Sequence, residues 1–550
     1  MRRKQRTLPA ADPEPSASVA IGAWLAIALA LGGLALWYLA GARKAAGEFG
    51  LPLDDGWIHA RFAQNLAAGR GFSFNPGEAT STTTSPLWTL LLALGYRITH
   101  EYLFTGIAIN LALALALLGI VYRLALSQVP SRWLALSVAG VVAATVPLPW
   151  WVLSGMEPPL YATLALLGIL LHLAARGEGL GRELPATAAF GLAALARPEM
   201  LLLFPLALLD RWLSMRPRSL TKWLKGLAAS LPLYAIIVAP LFLYNHQVTG
   251  YWLPTSYYSK LQWRQGGIAA LVGGAPIPPA AALVSYPLSE LGAVIRVWTG
   301  DNAILGVLVF VGSGWSVWRW RSQSAEGRRS LLIPMLLVAQ PVAWALAGGY
   351  RPPEYQSQRY IADLNPLFAL LGMVGGWWAT SRLSAPWRGR LRVAFLAALL
   401  AASLVRQPEG AAIYARNVKN TAEMQVAIGR WLKANAPPDS LLAVNDIGAI
   451  GLISGMRVLD LQGLVTPEIL PLRSMRSQLS GTAPQQVFDF IVSRHPDYLI
   501  IFPRWYPELA ARTDLFTQVH SVRLPDNITN GADEMVVYRT AWARQKGGGG

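Results

Sequence analysis

Residues 19–40 read VAIGAWLAIALALGGLALWYLA, an apolar run without a charged side chain. A helix needs about 20 such residues to cross the hydrocarbon core of a bilayer. Comparable runs recur as far as residue 403. Only 14% of the chain is charged, against roughly 25% in ordinary soluble domains. The sequence therefore predicts a polytopic α-helical membrane protein.

The apolar runs predict about eleven transmembrane helices. The first run is too long for the core of a cleaved signal peptide, so we expect an uncleaved first span. The predicted spans lie at about residues 19–40, 102–122, 133–151, 158–175, 184–196, 199–213, 226–245, 301–318, 330–348, 361–379 and 391–407.

Lys and Arg cluster in alternate loops between these runs, which places those loops in the cytoplasm by the positive-inside rule. Residues 1–18 then form a cytoplasmic tail, and the membrane domain covers 19–407. The net charge of +17 follows from this topology and predicts no nucleic-acid partner. The outer side receives the first loop (41–101, with interfacial helices), the 152–158 turn, the turn at Arg197, a second large loop (246–300), the 349–360 turn and the region after 407.

Two segments leave the topology open. Residues 86–98 are apolar but short, and we interpret them as a re-entrant or interfacial helix. Residues 184–213 are interrupted by Arg197-Pro198-Glu199, and proline disfavours helix at the preceding residue. We interpret them as two short spans. The opposite choice for both segments keeps the later topology but moves the 123–132 loop outside and the 152–158 turn inside.

The C-terminal region is more polar and is predicted to be an extracytoplasmic α/β domain over 408–545, followed by a flexible tail at 546–550. Residues 422–434 have helical periodicity. Short buried strands are predicted at 441–444, 458–461, 498–502 and 535–538.

Two adjacent acids, Asp54 and Asp55, open the first outer loop's amphipathic segment. Ile58, Phe62 and Leu66 recur every four residues, which predicts a helix over 55–67 lying on the membrane surface. One acid could simply cap that helix. A pair of carboxylates can instead hold a general base or bind a divalent cation.

The loop carries a longer pattern that resembles a known family. It comprises Asp54-Asp55, Arg61, Asn65-Leu66, Gly69, Gly71-Phe72, Phe74 to Glu78 and Thr84 to Trp88. It is similar to the first outer loop of type-C glycosyltransferases (GT-C), membrane enzymes that use polyprenyl-phosphate sugars. The closest branch is the mycobacterial arabinofuranosyltransferase B type with its bacterial relatives, and protein O-mannosyltransferases and aminoarabinose transferases are more distant. Further similar blocks are Ser154–Glu157, Leu195–Glu199, Asn445–Gly451 and Asp460–Val465.

The resemblance implies an inverting transfer of a monosaccharide, arabinofuranose or a similar sugar, from a polyprenyl-phosphate donor. The acceptor would be a cell-envelope glycan, lipid or protein. The site would face the outer side of a bacterial inner (plasma) membrane. One acid of the pair would be the catalytic base, and we favour Asp54.

A phosphate leaving group needs cations, and arginine matches phosphate oxygens well. Arg197 has the strongest case because it lies at membrane depth, although a structural pair with Glu199 is the alternative. The candidates for the donor phosphate are Arg197, Arg359, Arg61, Lys260 and Arg351. The candidates for sugar or acceptor binding are Glu157, Glu199, His59, Tyr257, Tyr258, Asn445 and Asp446. Surface acids, interfacial aromatic anchors and turn residues are the plainer interpretations of this second set.

The chain has no cysteine, which excludes disulfides and thiol chemistry. It has no Gly-rich phosphate loop and no zinc-ligand spacing. No cofactor is predicted with certainty; a divalent cation (Mg, Mn or Ca) at Asp54 and Asp55 is one option. The competing function is a transporter or flippase of a lipid-linked glycan, which would be expected to show internal repeats that we do not find. A non-catalytic scaffold is a third option.

Overall fold

The computed structural model describes residues 14–175, 180–215, 218–261, 280–322, 330–347, 352–473, 481 and 483–543. Arg351 and the predicted tail at 546–550 lie outside these residues. The helices are Ala17–Ala46, Asp54–Ala67, Pro86–Thr99, Leu103–Gln128, Arg132–Ala143, Pro147–Leu153, Pro158–Ala174, Leu184–Ala196, Leu203–Ser214, Leu220–Thr249, Thr255–Leu261, Ala280–Asp301, Ala303–Ser322, Leu332–Ala347, Leu364–Thr380, Ala385–Val405, Gln407–Thr421, Ala427–Asn435, Gly448–Ser454, Ala483–Arg494 and Pro507–Ala510.

Among the described residues, four helices are long and apolar enough to cross a membrane: Ala17–Ala46, Leu103–Gln128, Leu220–Thr249 and Ala303–Ser322. A fifth span is formed if Arg132–Ala143 and Pro147–Leu153, which meet at 63°, are counted as one. The chain is a multi-pass helical membrane protein. The count of eleven spans stays a prediction.

The region expected as the second large outer loop, 246–300, is largely helical where it is described. The helix Leu220–Thr249 extends past residue 246, and Thr255–Leu261 forms a short helix. Ala280–Asp301 is a helix of 22 residues. Pro287 and Glu290 interrupt its apolar pattern, which is why the sequence suggested a loop there.

The helix Asp54–Ala67 matches its predicted bounds but not its predicted setting. Ile58 and Phe62 are buried in one hydrophobic core with Met424 and Ile428 of the C-terminal region. The helix is therefore covered by the C-terminal domain, whereas the sequence predicted that it would lie on the membrane surface. The short helix Pro86–Thr99 packs against it.

The C-terminal region contains a five-stranded sheet with the order β2-β1-β3-β5-β4. The strands are β1 Leu441–Val444, β2 Arg457–Asp460, β3 Tyr498–Ile501, β4 Phe516–Arg523 and β5 Glu534–Thr540. Strand β1 is parallel to β2 and β3, and β5 is antiparallel to β3 and β4. The edge strand β4 was not predicted, because most of its side chains are polar and exposed. Residues 422–426 form a π-helical turn, and Ala427–Asn435 continues it.

Candidate active site

Asp54 joins the membrane domain to the C-terminal domain. Its two carboxylate oxygens accept hydrogen bonds from the backbone N–H groups of Gly448 (2.7 Å) and Ala449 (2.8 Å). These groups begin the helix Gly448–Ser454, where the helix dipole favours a negative charge. A side chain at Gly448 would collide with the backbone oxygen of Asp54 and lie 2.7 Å from its Oδ1. Both oxygens of Asp54 are thus used in holding the two domains together.

A third acid, Asp446, shares this junction. It follows strand β1 and accepts hydrogen bonds from Gln425 (2.9 Å) and Asn445 (3.1 Å). Burial, and then the charge of Asp446, raise the pKa of Asp54, and the two backbone hydrogen bonds oppose that rise. Burial also raises the pKa of Asp446. Asp54 is consequently a carboxyl group with a raised pKa, and both of its oxygens are committed to the domain junction.

Asp55 faces the other way, toward positive charge. Its Oδ2 lies 2.9 Å from Nη1 of Arg359, and its side chain remains 42% exposed. Burial by itself would raise the pKa of Asp55, but Arg359, followed by Lys260 and His59, holds it below the ordinary value. Asp55 is therefore an ionised, accessible carboxylate.

Behind Asp55 lies a buried ionic group centred on Arg197. Pro198 forces Arg197 into an extended backbone conformation (φ −157°, ψ 134°), which ends the helix Leu184–Ala196. The guanidinium donates to Glu199 (2.7 and 3.1 Å) and to Glu157. His59 Nε2 lies 3.5 Å from the second oxygen of Glu157. Because Glu157 is fully buried, its charge depends on these partners.

Tyr360, which directly follows Arg359, lies at the centre of the charged cluster. It was not predicted as a site residue from the sequence. The guanidinium carbons of Arg197 and Arg359 lie 4.7 and 5.2 Å from the centre of its ring. Lys260 Nζ is 5.8 Å from that centre and 3.4 Å from the hydroxyl. One aromatic ring thus gathers three cations from distant parts of the chain.

A cavity of about 430 Å³ opens beside this cluster. Arg197, Glu199, Lys260 and Tyr360 form its polar end, where two cations stand against one carboxylate. The rest of its wall is mainly apolar and includes Leu201, Leu202, Leu253, Ala343, Trp344 and Ala347. The cavity can therefore take a ligand with an anionic end and a hydrocarbon body.

Several predicted residues lie apart from the charged cluster. Arg61 donates to the backbone oxygens of Phe74 (3.1 Å) and Gly455 (3.4 Å), and so it supports the junction between the domains. Tyr257 lines the cavity but donates to the Ala347 oxygen (2.8 Å).

Two further candidates, Tyr258 and Asn445, have structural roles. Tyr258 packs on Tyr251, with ring centres 4.5 Å apart. Asn445 accepts from the Phe502 N–H (3.0 Å) and orients Asp446.

The divalent cation suggested for Asp54 and Asp55 stays a prediction. No group of three or more His, Asp and Glu side chains suited to a metal ion occurs within the part of the chain that the structure describes. Asp54 is engaged by two backbone donors and Asp55 by Arg359. We therefore assign no chemistry here to Mg, Mn or Ca.

Known proteins resemble this chain in fold. ArnT from Cupriavidus metallidurans bound to undecaprenyl phosphate matches with a TM-score of 0.54 and 14% identity, over 96% of this chain and 100% of that one. The Archaeoglobus fulgidus oligosaccharyltransferase in its apo form matches with a TM-score of 0.58 and 11% identity, over 94% and 75%. A complex of that protein with Zn and sulfate matches with a TM-score of 0.54 and 13% identity, over 92% and 73%.

At this level of identity, the likeness establishes a fold shared with these two proteins. A family model described as a domain of unknown function (DUF8728) matches residues 412–540. No curated protein matches the chain.

Proposed function

We propose that this protein is an inverting glycosyltransferase that moves a sugar from polyprenyl phosphate to an acceptor hydroxyl. One observation carries the proposal: the exposed Asp55 carboxylate pairs with the buried Arg359, and Arg359 contacts Tyr360, which lines the polar end of an apolar cavity together with Lys260. A polyprenyl-phosphate sugar has a complementary group for each part of the site: the sugar for the acid, the phosphate for the cations and the hydrocarbon chain for the apolar wall. The fold neighbour ArnT, whose structure holds undecaprenyl phosphate, supports this choice of donor lipid.

In this proposal the donor phosphate binds between Arg359 and Lys260, with Arg197 behind them. The Nε atom of Arg359 is buried and has no hydrogen-bond partner among the described residues, so it has a hydrogen bond to give. The first isoprene units lie along Leu201, Leu202 and Trp344, where their apolar surface leaves water.

The chemical step is a single displacement. Asp55 takes the proton of the acceptor hydroxyl, and the hydroxyl oxygen attacks the anomeric carbon of the donor sugar. The bond from that carbon to the phosphate oxygen breaks, and polyprenyl phosphate leaves with the electron pair. Arg359 and Lys260 stabilise its growing negative charge. One attack from the opposite face inverts the anomeric centre.

The geometry leads us to prefer Asp55 over Asp54, the residue that the sequence analysis favoured. Both oxygens of Asp54 accept hydrogen bonds from backbone N–H groups. Asp55 pairs with Arg359, which is also expected to bind the donor phosphate. A phosphate that competes for Arg359 would loosen its hold on Asp55. The carboxylate would then become more basic at the moment when the acceptor must be deprotonated.

On this proposal the site faces the outer side of a bacterial inner membrane, which is the side expected from the positive-inside rule. Arabinofuranose and an envelope glycan remain the favoured sugar and acceptor, on the resemblance of the first loop alone.

To test the proposed function, the purified protein in lipid nanodiscs is incubated with a panel of polyprenyl-phosphate sugars and soluble acceptor glycosides. We expect one donor to be consumed, with free polyprenyl phosphate and a glycoside of inverted configuration as products. Mass spectrometry follows the lipid, and NMR coupling constants or linkage-specific glycosidases report the configuration. Retention of configuration, or movement of intact lipid-linked sugar across a vesicle membrane without cleavage, contradicts the proposal.

A further inference from the structure

An unusual backbone turn precedes Arg359. Gln356, Ser357 and Gln358 have φ values of 50°, 54° and 61°, three consecutive residues in the left-handed region. Residues with a side chain rarely adopt this conformation, and a run of three persists only where surrounding contacts impose it. The turn therefore requires anchors.

The strongest anchor is a directional chain of hydrogen bonds through Gln358. Trp298 Nε1 donates to Asn365 (2.9 Å), and Asn365 donates to Gln358 Oε1 (2.7 Å). Gln358 Nε2 then donates to Asp301 (2.6 Å). The indole can only donate and the carboxylate can only accept, so the orientation of both amides is fixed. A side chain at 358 must both accept and donate to complete the chain.

Two aromatic donors hold the turn on its other sides. Trp151 Nε1 donates to the Ser357 oxygen (2.7 Å), and the Tyr161 hydroxyl donates to the Arg359 oxygen (2.6 Å). With its backbone held in this way, Arg359 reaches Asp55 at 2.9 Å. The Gln358 side chain runs from the same turn to Asp301.

We propose that Gln358 is a positioning residue: by tying the left-handed turn to Asp301 and Asn365, it directs the Arg359 guanidinium at Asp55 and at the donor phosphate. It acts through Arg359 and makes its own contacts away from the reacting atoms. The inference rests on the proposed function for its kinetic consequence, but its structural consequence can be measured without any substrate.

The first test is a double-mutant cycle on thermal stability. Gln358→Asn keeps a residue type that tolerates the left-handed region, but its amide is too short to reach both partners. Gln356→Asn makes the same change two residues away in the same turn and is the matched control. Each is combined with Asp55→Asn, and the unfolding midpoint is followed by tryptophan fluorescence.

Asp55→Asn should lower the midpoint in the wild-type background, because it leaves the buried Arg359 without its carboxylate. In the Gln358→Asn background the same replacement should lower the midpoint by about half as much or less, since separated sites are otherwise additive. In the Gln356→Asn background, Asp55→Asn should lower the midpoint by as much as it does in the wild type. Equal decreases in all three backgrounds overturn the inference. Asn365→Asp removes the donor to Gln358 and leaves the turn residues unchanged, so it should give the same result as Gln358→Asn. If Gln358→Asn does not fold, the cycle with Asn365→Asp tests the inference in its place.

The second test is the pH profile of kcat/KM. The charged groups facing Asp55 are Arg359, Lys260, His59, Glu157 and Asp446. If Arg359 moves away from Asp55, its positive charge no longer stabilises the Asp55 carboxylate, and the pKa of Asp55 rises. The acid limb should then move to higher pH by about half a unit or more in Gln358→Asn, and should stay in place in Gln356→Asn. An unmoved limb in both variants overturns the inference.

The two failures can be told apart. If no donor is consumed by the wild type, the proposed function fails, and the thermal cycle still decides the role of Gln358. If a donor is consumed and the cycle is additive, only the role of Gln358 fails.

Discussion

Replacing Asp55 and Asp54 by Asn, one at a time, separates the chemical role of one carboxylate from the structural role of its neighbour. Asp55→Asn removes a base but keeps the size of the side chain. Loss of a general base slows a reaction by about 10²- to 10⁴-fold, and we expect kcat to fall within that range.

Asp54→Asn should lower stability, as Asp55→Asn does, but should affect transfer much less. The carboxylate accepts from both Gly448 and Ala449, and an amide has only one oxygen to offer. One buried N–H would then face an NH₂ group, a loss of about 1–3 kcal/mol. We expect a lower unfolding midpoint, with transfer at permissive temperature reduced far less than in Asp55→Asn.

The two variants also differ in their pH dependence. Because burial and Asp446 raise the pKa of Asp54, the folded protein binds a proton there that the unfolded chain has released. Stability should thus fall as pH rises from the ordinary carboxyl value toward the raised one. Asp54→Asn should flatten that slope.

The assay pairs donor consumption, followed by mass spectrometry, with tryptophan-fluorescence unfolding of the same nanodisc samples. Loss of transfer in Asp54→Asn without a lower midpoint would contradict the structural role of Asp54. Wild-type kcat in Asp55→Asn would contradict the role of Asp55 as the base.

Four further predictions concern lipid binding, domain docking and pH. Lys260→Gln should weaken binding of undecaprenyl phosphate about tenfold, as expected for one lost charge-assisted contact, and an unchanged affinity by native mass spectrometry would remove this residue from the site. Ala343→Phe should fill part of the cavity and lower affinity for undecaprenyl phosphate, while a water-soluble phosphate ester keeps its affinity; a parallel loss for both would instead indicate misfolding. Gly448→Ala should force the helix Gly448–Ser454 away from Asp54 and expose the domain junction to limited proteolysis, and wild-type resistance would contradict the described contact. In the wild type, kcat/KM should show no acid limb from Asp55 above about pH 4, since its pKa lies below the ordinary value and activity is lost only as pH falls through it; a limb near pH 6 would assign the base elsewhere.

Composition and periodicity determined much of the architecture. Apolar runs identify a membrane protein because a bilayer imposes a length and an absence of charge that can be counted along the chain. The helices Asp54–Ala67 and Pro86–Thr99 and the strand β1 fall at or within a residue of their predicted positions, because local spacing of apolar residues is sufficient to define them. The helix Ala280–Asp301 was missed because Pro287 and Glu290 break that spacing.

The identity of the reacting acid depended on tertiary structure. Asp54 and Asp55 are adjacent and chemically identical, and both lie in the first turn of one helix. Successive side chains on a helix diverge by about 100°, so the two carboxylates meet different surroundings. One meets Gly448, at the start of a helix in the C-terminal domain, and the other meets Arg359, after a left-handed turn. Both partners are hundreds of residues away along the chain. Local patterns hold no information about such distant contacts, and only the folded chain sets the electrostatic difference between two neighbouring aspartates.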